Sequence, residues 1–275
     1  MTTAAAAPSP NEIAAALIGR DYISFSALST YQQCPLKFYF KYVARLPEQT
    51  IAASLVFGGA IHTAVEHHFR ELLVGHPPPD LATLLDVYEL AWRERDGIEV
   101  LFGKEDSEES LADLAGRMLA AFQASEFAMP QGTILAIEEE LRGPLVSGLP
   151  DLLARIDLLI ETDDALVLTD LKTSRSRWSR DHVADASGQL LLYSELAREL
   201  VPHKQLVTQF AVLTKTKSPA LDLHPVPIDD ARVENTHAVA KLLWQAITAG
   251  HFYPAPSPLH CPTCPFRGVC RPCSF

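Results

Sequence analysis

The sequence predicts an α/β protein: a mixed central β-sheet flanked by helices, with an N-terminal helical region and a Cys-rich C-terminal tail. Three observations predict it. Residues 24–127 space their apolar residues for helices, as in FGGAIHTAVEHHFRELL (57–73), where Phe57, Ile61, Val65 and Phe69 recur every fourth position. Residues 133–172 change to runs of strand length rich in Ile, Leu and Val. Beyond them a polar loop, a helix over 183–200, a strand at 205–214 and a helix near 229–249 alternate the two element types, as helices packed on a sheet require.

The elements follow in order. Residues 1–23 lack the basic start and apolar centre of a signal peptide and read as a disordered lead-in. Within 24–127, SALSTYQQCPLKFYFKYV (26–43) forms one helical stretch; HPPPD (76–80) breaks the chain, and 81–95 and 108–127 are two further amphipathic helices. Residues 128–250 form the sheet-bearing core. Its first strand is TILAIEEELRG (133–143); the next two lie in ARIDLLIETDDALVLTDLK (154–172), joined at Asp163-Asp164. Residues 251–275 are too rich in Pro and Cys for a regular element and pack with the N-terminal helix as part of one domain.

The chain has 275 residues, 48% hydrophobic and 21% charged, enough for a substantial core. No apolar run approaches the ~20 residues that span a bilayer, so no membrane contact and a cytoplasmic location are expected. The net charge of −11 argues against a protein that coats DNA non-specifically, but leaves room for an enzyme with a local basic groove. KTSRSRWSR (172–180) offers such a patch in Lys172, Arg175, Arg177 and Arg180 with Trp178, although most runs of this kind are solvated loops.

The hairpin carries the chemistry. With its turn centred on Asp163-Asp164, residues whose numbers sum to 327 face each other, and Asp157 and Asp170 are such a pair. They would lie ~4.5–5.5 Å apart at Cα with side chains on one face, and Lys172, two residues on, would join them. Like charges set opposite one another destabilise a sheet unless compensated, and a divalent cation with oxygen ligands, Mg²⁺ or Mn²⁺, is the evident compensation. The plain alternative is a pair of ordinary acids on a solvated face. Asp151 is a rival acid, but it would pair near residue 176, beyond the strand.

This pattern resembles the PD-(D/E)XK nuclease superfamily, where an Asp on one strand and an (Asp/Glu)-x-Lys on the next form the metal site. Ile156-Asp157 and Asp170-Leu171-Lys172 occupy those places. The RecB-like exonuclease branch is the nearer match, of the AddB-like or CRISPR-adaptation-exonuclease-like kind with a C-terminal iron–sulfur motif. Gln189 and Tyr193 form its Gln-x-x-x-Tyr motif, four apart on one helix face, and Gly58 and His62 its Gly-x-x-x-His. Cys34, Cys261, Cys264 and Cys270 match its cluster ligands. Ala154 stands where a Gly is common, and Asp rather than Glu precedes the Lys; neither change removes a ligand.

The resemblance implies a restriction-endonuclease-like core and a metal-dependent deoxyribonuclease, an exonuclease rather than an endonuclease, working in DNA repair or recombination. Asp157, Asp170, His62 and the Leu171 backbone carbonyl would hold Mg²⁺ or Mn²⁺. Lys172 would position the attacking water, Gln189 and Tyr193 would contact the DNA near the cut, and Arg175, Arg177, Trp178 and Arg180 would guide the strand. A [4Fe–4S] cluster would be structural. The four tail cysteines Cys261, Cys264, Cys270 and Cys273 equally spell a Cys-x2-Cys-x5-Cys-x2-Cys set for Zn²⁺, and spacing alone does not name the metal. Two other function classes stay open: a non-catalytic or partner-dependent DNA-binding subunit on the same fold, and a zinc-binding structural protein. No Gly-x-x-x-x-Gly-Lys-Ser/Thr motif occurs, so a helicase in a recombination complex would be a separate partner protein.

Overall fold

A computed structural model of the chain describes residues 7–94, 97–198, 200 and 203–270. Cys273 lies outside the described residues.

The lead-in is ordered from its middle onward. Helix α1 (Pro10–Ile18) begins with a capping box: the Ser9 hydroxyl accepts from the Glu12 amide, and the Glu12 carboxylate accepts from the Ser9 amide, with Pro10 at the first helical position. The short strand β1 (Tyr22–Ser24) follows, then α2 (Phe25–Gln33) and α3 (Pro35–Phe38), which runs on into a π-helical turn at Tyr39–Val43. Pro35 explains the break: it has no amide to donate back into α2. Strand β2 (Thr50–Ala52) precedes the long helix α4 (Ala53–Leu73), and α5 (Leu81–Arg93), β3 (Glu99–Leu101) and α6 (Glu108–Gln123) complete the helical region. Strands β2 and β3 pair as a separate parallel ribbon.

The central sheet comprises β1, β4 (Thr133–Gly143), β5 (Asp151–Glu161), β6 (Ala165–Ser174), β7 (Gln205–Thr214) and β8 (Leu221–Val226), in the order β1-β5-β6-β7-β8 with β4 also on β5. Two helices, α7 (Arg180–Ala186) and α8 (Gly188–Arg198), carry the crossover between the parallel pair β6 and β7, and α9 (Asp230–Thr248) follows β8. The sequence therefore foretold a mixed sheet flanked by helices, but not β1, β8 or the ribbon. Three-residue strands leave too short a period to read, and β8 carries Pro225.

Helices cover both faces. Leu166, Leu168, Phe210 and Val212 point into a core shared with α1, α2, α8 and α9. Leu171, Ala211 and Leu213, the alternate positions, point into a second core with α4, α5 and α6. The tail lies against the N-terminal helices: the Tyr31 hydroxyl donates to the His251 carbonyl at 2.7 Å, the Leu36 amide to the Tyr253 carbonyl at 3.0 Å, and Phe40 meets Phe266 with ring centres 5.7 Å apart. No helix among the described residues is long and apolar enough to cross a membrane.

The turn into β4 depends on a glycine. Gly132 has φ +110°, and a Cβ there would fall 2.4 Å from the Glu161 carbonyl oxygen. Gly75 also has positive φ (+80°), but open space around it. Gly132→Ala is expected to lower stability by about 2 kcal/mol or more, and Gly75→Ala by about 1 kcal/mol. Denaturant titration of the two variants checks the order; equal costs would show that the Glu161 contact relaxes freely.

Candidate active site

One edge of β5 is shared by two strands. β4 pairs along the other edge from Leu152 to Glu161, with Asp157 and Glu138 left out of the register. On the shared edge β1 pairs with Asp151–Leu153, and β6 pairs with Leu158–Glu161. Between them residues 154–157 have no strand beside them, and the sheet forks. The four β5–β6 pairs do sum to 327, as the sequence predicts. The ladder ends, however, at Leu158↔Thr169, one pair short of the two acids. Asp157 and Asp170 are thus not hydrogen-bonded cross-strand neighbours. The Asp157 carboxylate instead caps the parting strand, accepting from the Leu171 amide at 2.7 Å.

The strands also exchange faces at this point. Leu152, Ala154 and Ile156 belong to one core, whereas Leu158 and Ile160 belong to the other. Alternate residues share a face in a regular strand, so β5 reverses at Asp157. Its partner β4 reverses at the matching place, where Glu138 takes φ +51°. A left-handed Glu costs of order 1 kcal/mol or more and persists only where its surroundings hold it. The consequence is that Glu138 and Asp157 come together with His62 of α4. One ligand atom from each of the three lies within 4.8 Å of the others. The His62 Nδ1 is 3.8 Å from Asp157 Oδ2.

Gly58, one turn before His62, lets α4 approach: a Cβ there would sit 3.2 Å from the Thr173 hydroxyl of β6. His68, on the same helix, is 1% exposed, bonded through Nε2 to the Ala128 carbonyl at 2.8 Å and wedged between Phe69 and Phe122. It is a packing histidine, which leaves His62 as the one at the fork.

Asp170 occupies the opposite side of the fork and is 3% exposed. Its Oδ2 lies 2.7 Å from Lys172 Nζ, and its Oδ1 accepts from Gln189 Nε2 at 2.7 Å. Gln189 Oε1 in turn accepts from Lys172 Nζ at 3.0 Å. The amide therefore bridges acid and base and fixes the lysine. Tyr193 is 5% exposed and lies near Gln189, Asp170 and the Arg155 main chain. Burial, with Asp170 nearby, pushes its phenol to about 12.

Five sequence-picked residues, His62, Asp157, Leu171, Lys172 and Arg175, line one open groove of about 900 Å³ together with Glu138, Glu66 and Arg155. Arg177 turns to Asp222, 3.5 Å away. Trp178 is half-buried, stacked on His182 at 4.4 Å and edge-on to Phe210; Arg180 is exposed at the start of α7. Cys34, Cys261, Cys264 and Cys270 form no disulfide among the described residues and lie where the tail meets α2 and α3. Burial raises the Cys264 pKa, the Phe266 main chain and Lys37 lower it, and Cys270 and Cys34 are near enough to raise it. No three of these thiols lie within 4.8 Å of each other among the described residues.

Sequence reading missed Glu138. It is the first of three consecutive glutamates in a strand, and no periodicity distinguishes it from Glu139 and Glu140; only the reversal of β4 aims it at His62.

Burial, then Asp157 and Glu66, raise the Glu138 carboxyl to about 7. Burial and Asp170 push Asp157 up as well. Burial lowers His62. A carboxyl raised on folding keeps its proton in the native state at pH values where the unfolded chain has lost it. Stability from Glu138 is therefore present below its ordinary pKa and is lost as pH rises towards 7. The depressed His62 acts in the opposite sense below its ordinary pKa. Glu138→Gln, a neutral mimic of the protonated acid, isolates the first effect. Without metal its Tm is expected to match wild type near pH 5 and to exceed it at pH 8. Calorimetry at the two pH values checks this, and a constant Tm difference would show that Glu138 stays ionised throughout.

A search of curated proteins returns no match. Among solved structures, a presumed exonuclease from Eubacterium rectale superposes with TM-score 0.52 at 16% identity, over 86% of this chain and 85% of that one. A second structure, SSO0001, aligns over 90% of this chain and 95% of that one at 16% identity, but its TM-score of 0.34 carries no argument. The family model for the PD-(D/E)XK nuclease superfamily matches residues 22–271, from β1 through the tail, and so spans both arms of the fork. The chain belongs to the PD-(D/E)XK nuclease superfamily.

Proposed function

We propose that this protein is a divalent-metal-dependent DNA nuclease, acting as an exonuclease in DNA repair or recombination. The convergence of His62, Glu138 and Asp157 beside a fixed Lys172 carries the reading. The donor set suits Mn²⁺ or Mg²⁺: one ring nitrogen and two carboxylates within 4.8 Å, with both carboxyls raised until a positive charge joins them. Asp170 and the Leu171 carbonyl are the remaining proposed ligands. When bound, the metal supplies a polarised water and neutralises charge on the scissile phosphate.

The chain's own groups do the rest. Lys172 Nζ, held between Asp170 and Gln189, presents a point charge to the phosphate and stabilises charge that develops in the transition state. Gln189 keeps that ammonium in place, and Tyr193 lies near Gln189. Arg175 in the groove contacts the strand; Arg177, Trp178 and Arg180 are the further strand contacts of this reading, Trp178 and Arg180 lining a separate hollow with His224 and Arg232. The exonuclease mode and the repair setting rest on the resemblance to the RecB-like branch.

The test is cleavage of end-labelled single- and double-stranded DNA with Mg²⁺ or Mn²⁺, using protein purified without oxygen. Lys172→Ala is expected to cut about 10²–10³ times more slowly. His62→Ala, Glu138→Ala and Asp157→Ala are expected to shift the metal requirement to higher concentration. Full activity in Glu138→Ala would remove that residue from the metal site. DNA binding without cutting by folded wild type would favour the partner-dependent binding subunit.

The same proposal includes a structural [4Fe–4S] cluster on Cys34, Cys261, Cys264 and Cys270, which rests on the resemblance and on the nearness of Cys34 to Cys264. Elemental analysis is expected to give iron with acid-labile sulfide, and Cys34→Ser is expected to lose both. Zinc that survives Cys34→Ser would assign the site to the four tail cysteines.

A further inference from the structure

The groove continues past Lys172 to a second pair of cations. Lys215 follows the end of β7, and its amide donates to the Ser174 carbonyl. That bond sets it beside Arg175, the residue that follows β6. Both side chains line the groove that holds His62, Glu138 and Asp157, and both line an adjoining hollow of about 470 Å³ walled by residues 103–106.

Lys215 is half-buried. Its ammonium sits 5.0 Å from the centre of the Phe57 ring and makes one long hydrogen bond, 3.4 Å, to the Ser54 carbonyl. Among the described residues no carboxylate is within ion-pair distance of Lys215 or Arg175; Asp106 is the acid whose charge Lys215 feels. Burial, and then Arg175, push the Lys215 pKa down to about 8. A half-buried ammonium beside the exposed Arg175 guanidinium is unfavourable unless an anion joins them.

The register says which anion. Lys172 pairs with Val212, so Lys215 stands three residues further along β7, roughly 10 Å at ~3.3 Å per residue. A phosphate at Lys215 would therefore lie one or two linkages along the strand from the one at Lys172. Leu259 and Thr263 of the tail flank the same stretch of groove, and Leu259 is 81% exposed. We propose that Lys215 and Arg175 form a phosphate subsite that seats a non-scissile phosphodiester of the DNA, so that the strand runs from Lys172 toward the carboxyl ends of β6 and β7. The subsite rests on the nuclease reading above.

The experiment measures binding of a short labelled single-stranded oligonucleotide across a salt series, without divalent metal so that nothing is cut. Lys215→Met keeps the aliphatic stem on Phe57 and removes the charge; Lys215→Arg keeps the charge. Lys215→Met is expected to weaken binding about 3- to 10-fold for every sequence tried, and to reduce the slope of log K against log salt by about one. Lys215→Arg is expected to preserve the slope. In the cleavage assay Lys215→Met is expected to raise KM and leave kcat near wild type. Unchanged affinity and slope in both Lys215→Met and Arg175→Ala, with a wild type that binds and cuts, would overturn the subsite alone. A folded wild type that neither binds nor cuts DNA would overturn the nuclease reading and the subsite with it.

Discussion

A β-strand has two edges, and β5 divides one of them between β1 and β6. That division leaves residues 154–157 open in the middle of a sheet that is otherwise paired and covered on both faces. An open edge at the centre of a fold exposes backbone donors and acceptors that must find other partners. Here the Asp157 carboxylate receives the Leu171 amide as β6 departs. The fork does more than leave space. It lets residues from opposite faces of the sheet meet at one point: His62 and Glu138 from the α4 side, Asp170 and Lys172 from the α8 side.

Charge is organised differently on the two sides. Asp170 is deeply buried yet compensated, by Lys172 on one oxygen and Gln189 on the other. This is a closed triangle, and it orients the lysine. On the other side Glu138 has only the exposed Arg155, 3.8 Å away, and Asp157 only the Leu171 amide, and burial raises both carboxyls. The protein thus keeps one acid compensated and leaves two only partly so in a groove open to solvent. A partly compensated pair beside a histidine is the arrangement that a hard divalent cation completes. A chain with net charge −11 brings an anionic substrate to such a place only with local cations, and Lys172, Arg175 and Lys215 stand along one groove.

The strained elements are at the same place. Glu138 is one of two non-glycine residues with positive φ among the described residues, and it lies where β4 and β5 exchange faces. A regular strand would have sent its side chain to the wrong side of the sheet. The tail and the N-terminal helices clasp each other through Tyr31, Leu36 and Phe40, and the tail also forms part of the groove wall. Cysteine chemistry at that clasp would therefore be felt in the groove.

Much of this was legible in the chain itself. The 327 sum placed the hairpin register correctly, because side-chain alternation and a short turn leave few other pairings. The spans 133–143 and 205–214 agree with β4 and β7 to the residue, and the helical spacing of 57–73 found α4. The hairpin register singled out Asp157, Asp170 and Lys172, whereas His62, Gln189 and Tyr193 came from the resemblance to the RecB-like branch, because a lone His or a Gln-x-x-x-Tyr match is usually chance. The sequence did not show that the hairpin ladder stops one pair early, that Glu138 turns inward, or that Lys215 comes to lie beside Arg175. Each depends on where strands distant in the chain begin and end against one another. Periodicity describes a strand that keeps its faces, and the site is formed where β4 and β5 do not; that reversal was decided by tertiary structure alone.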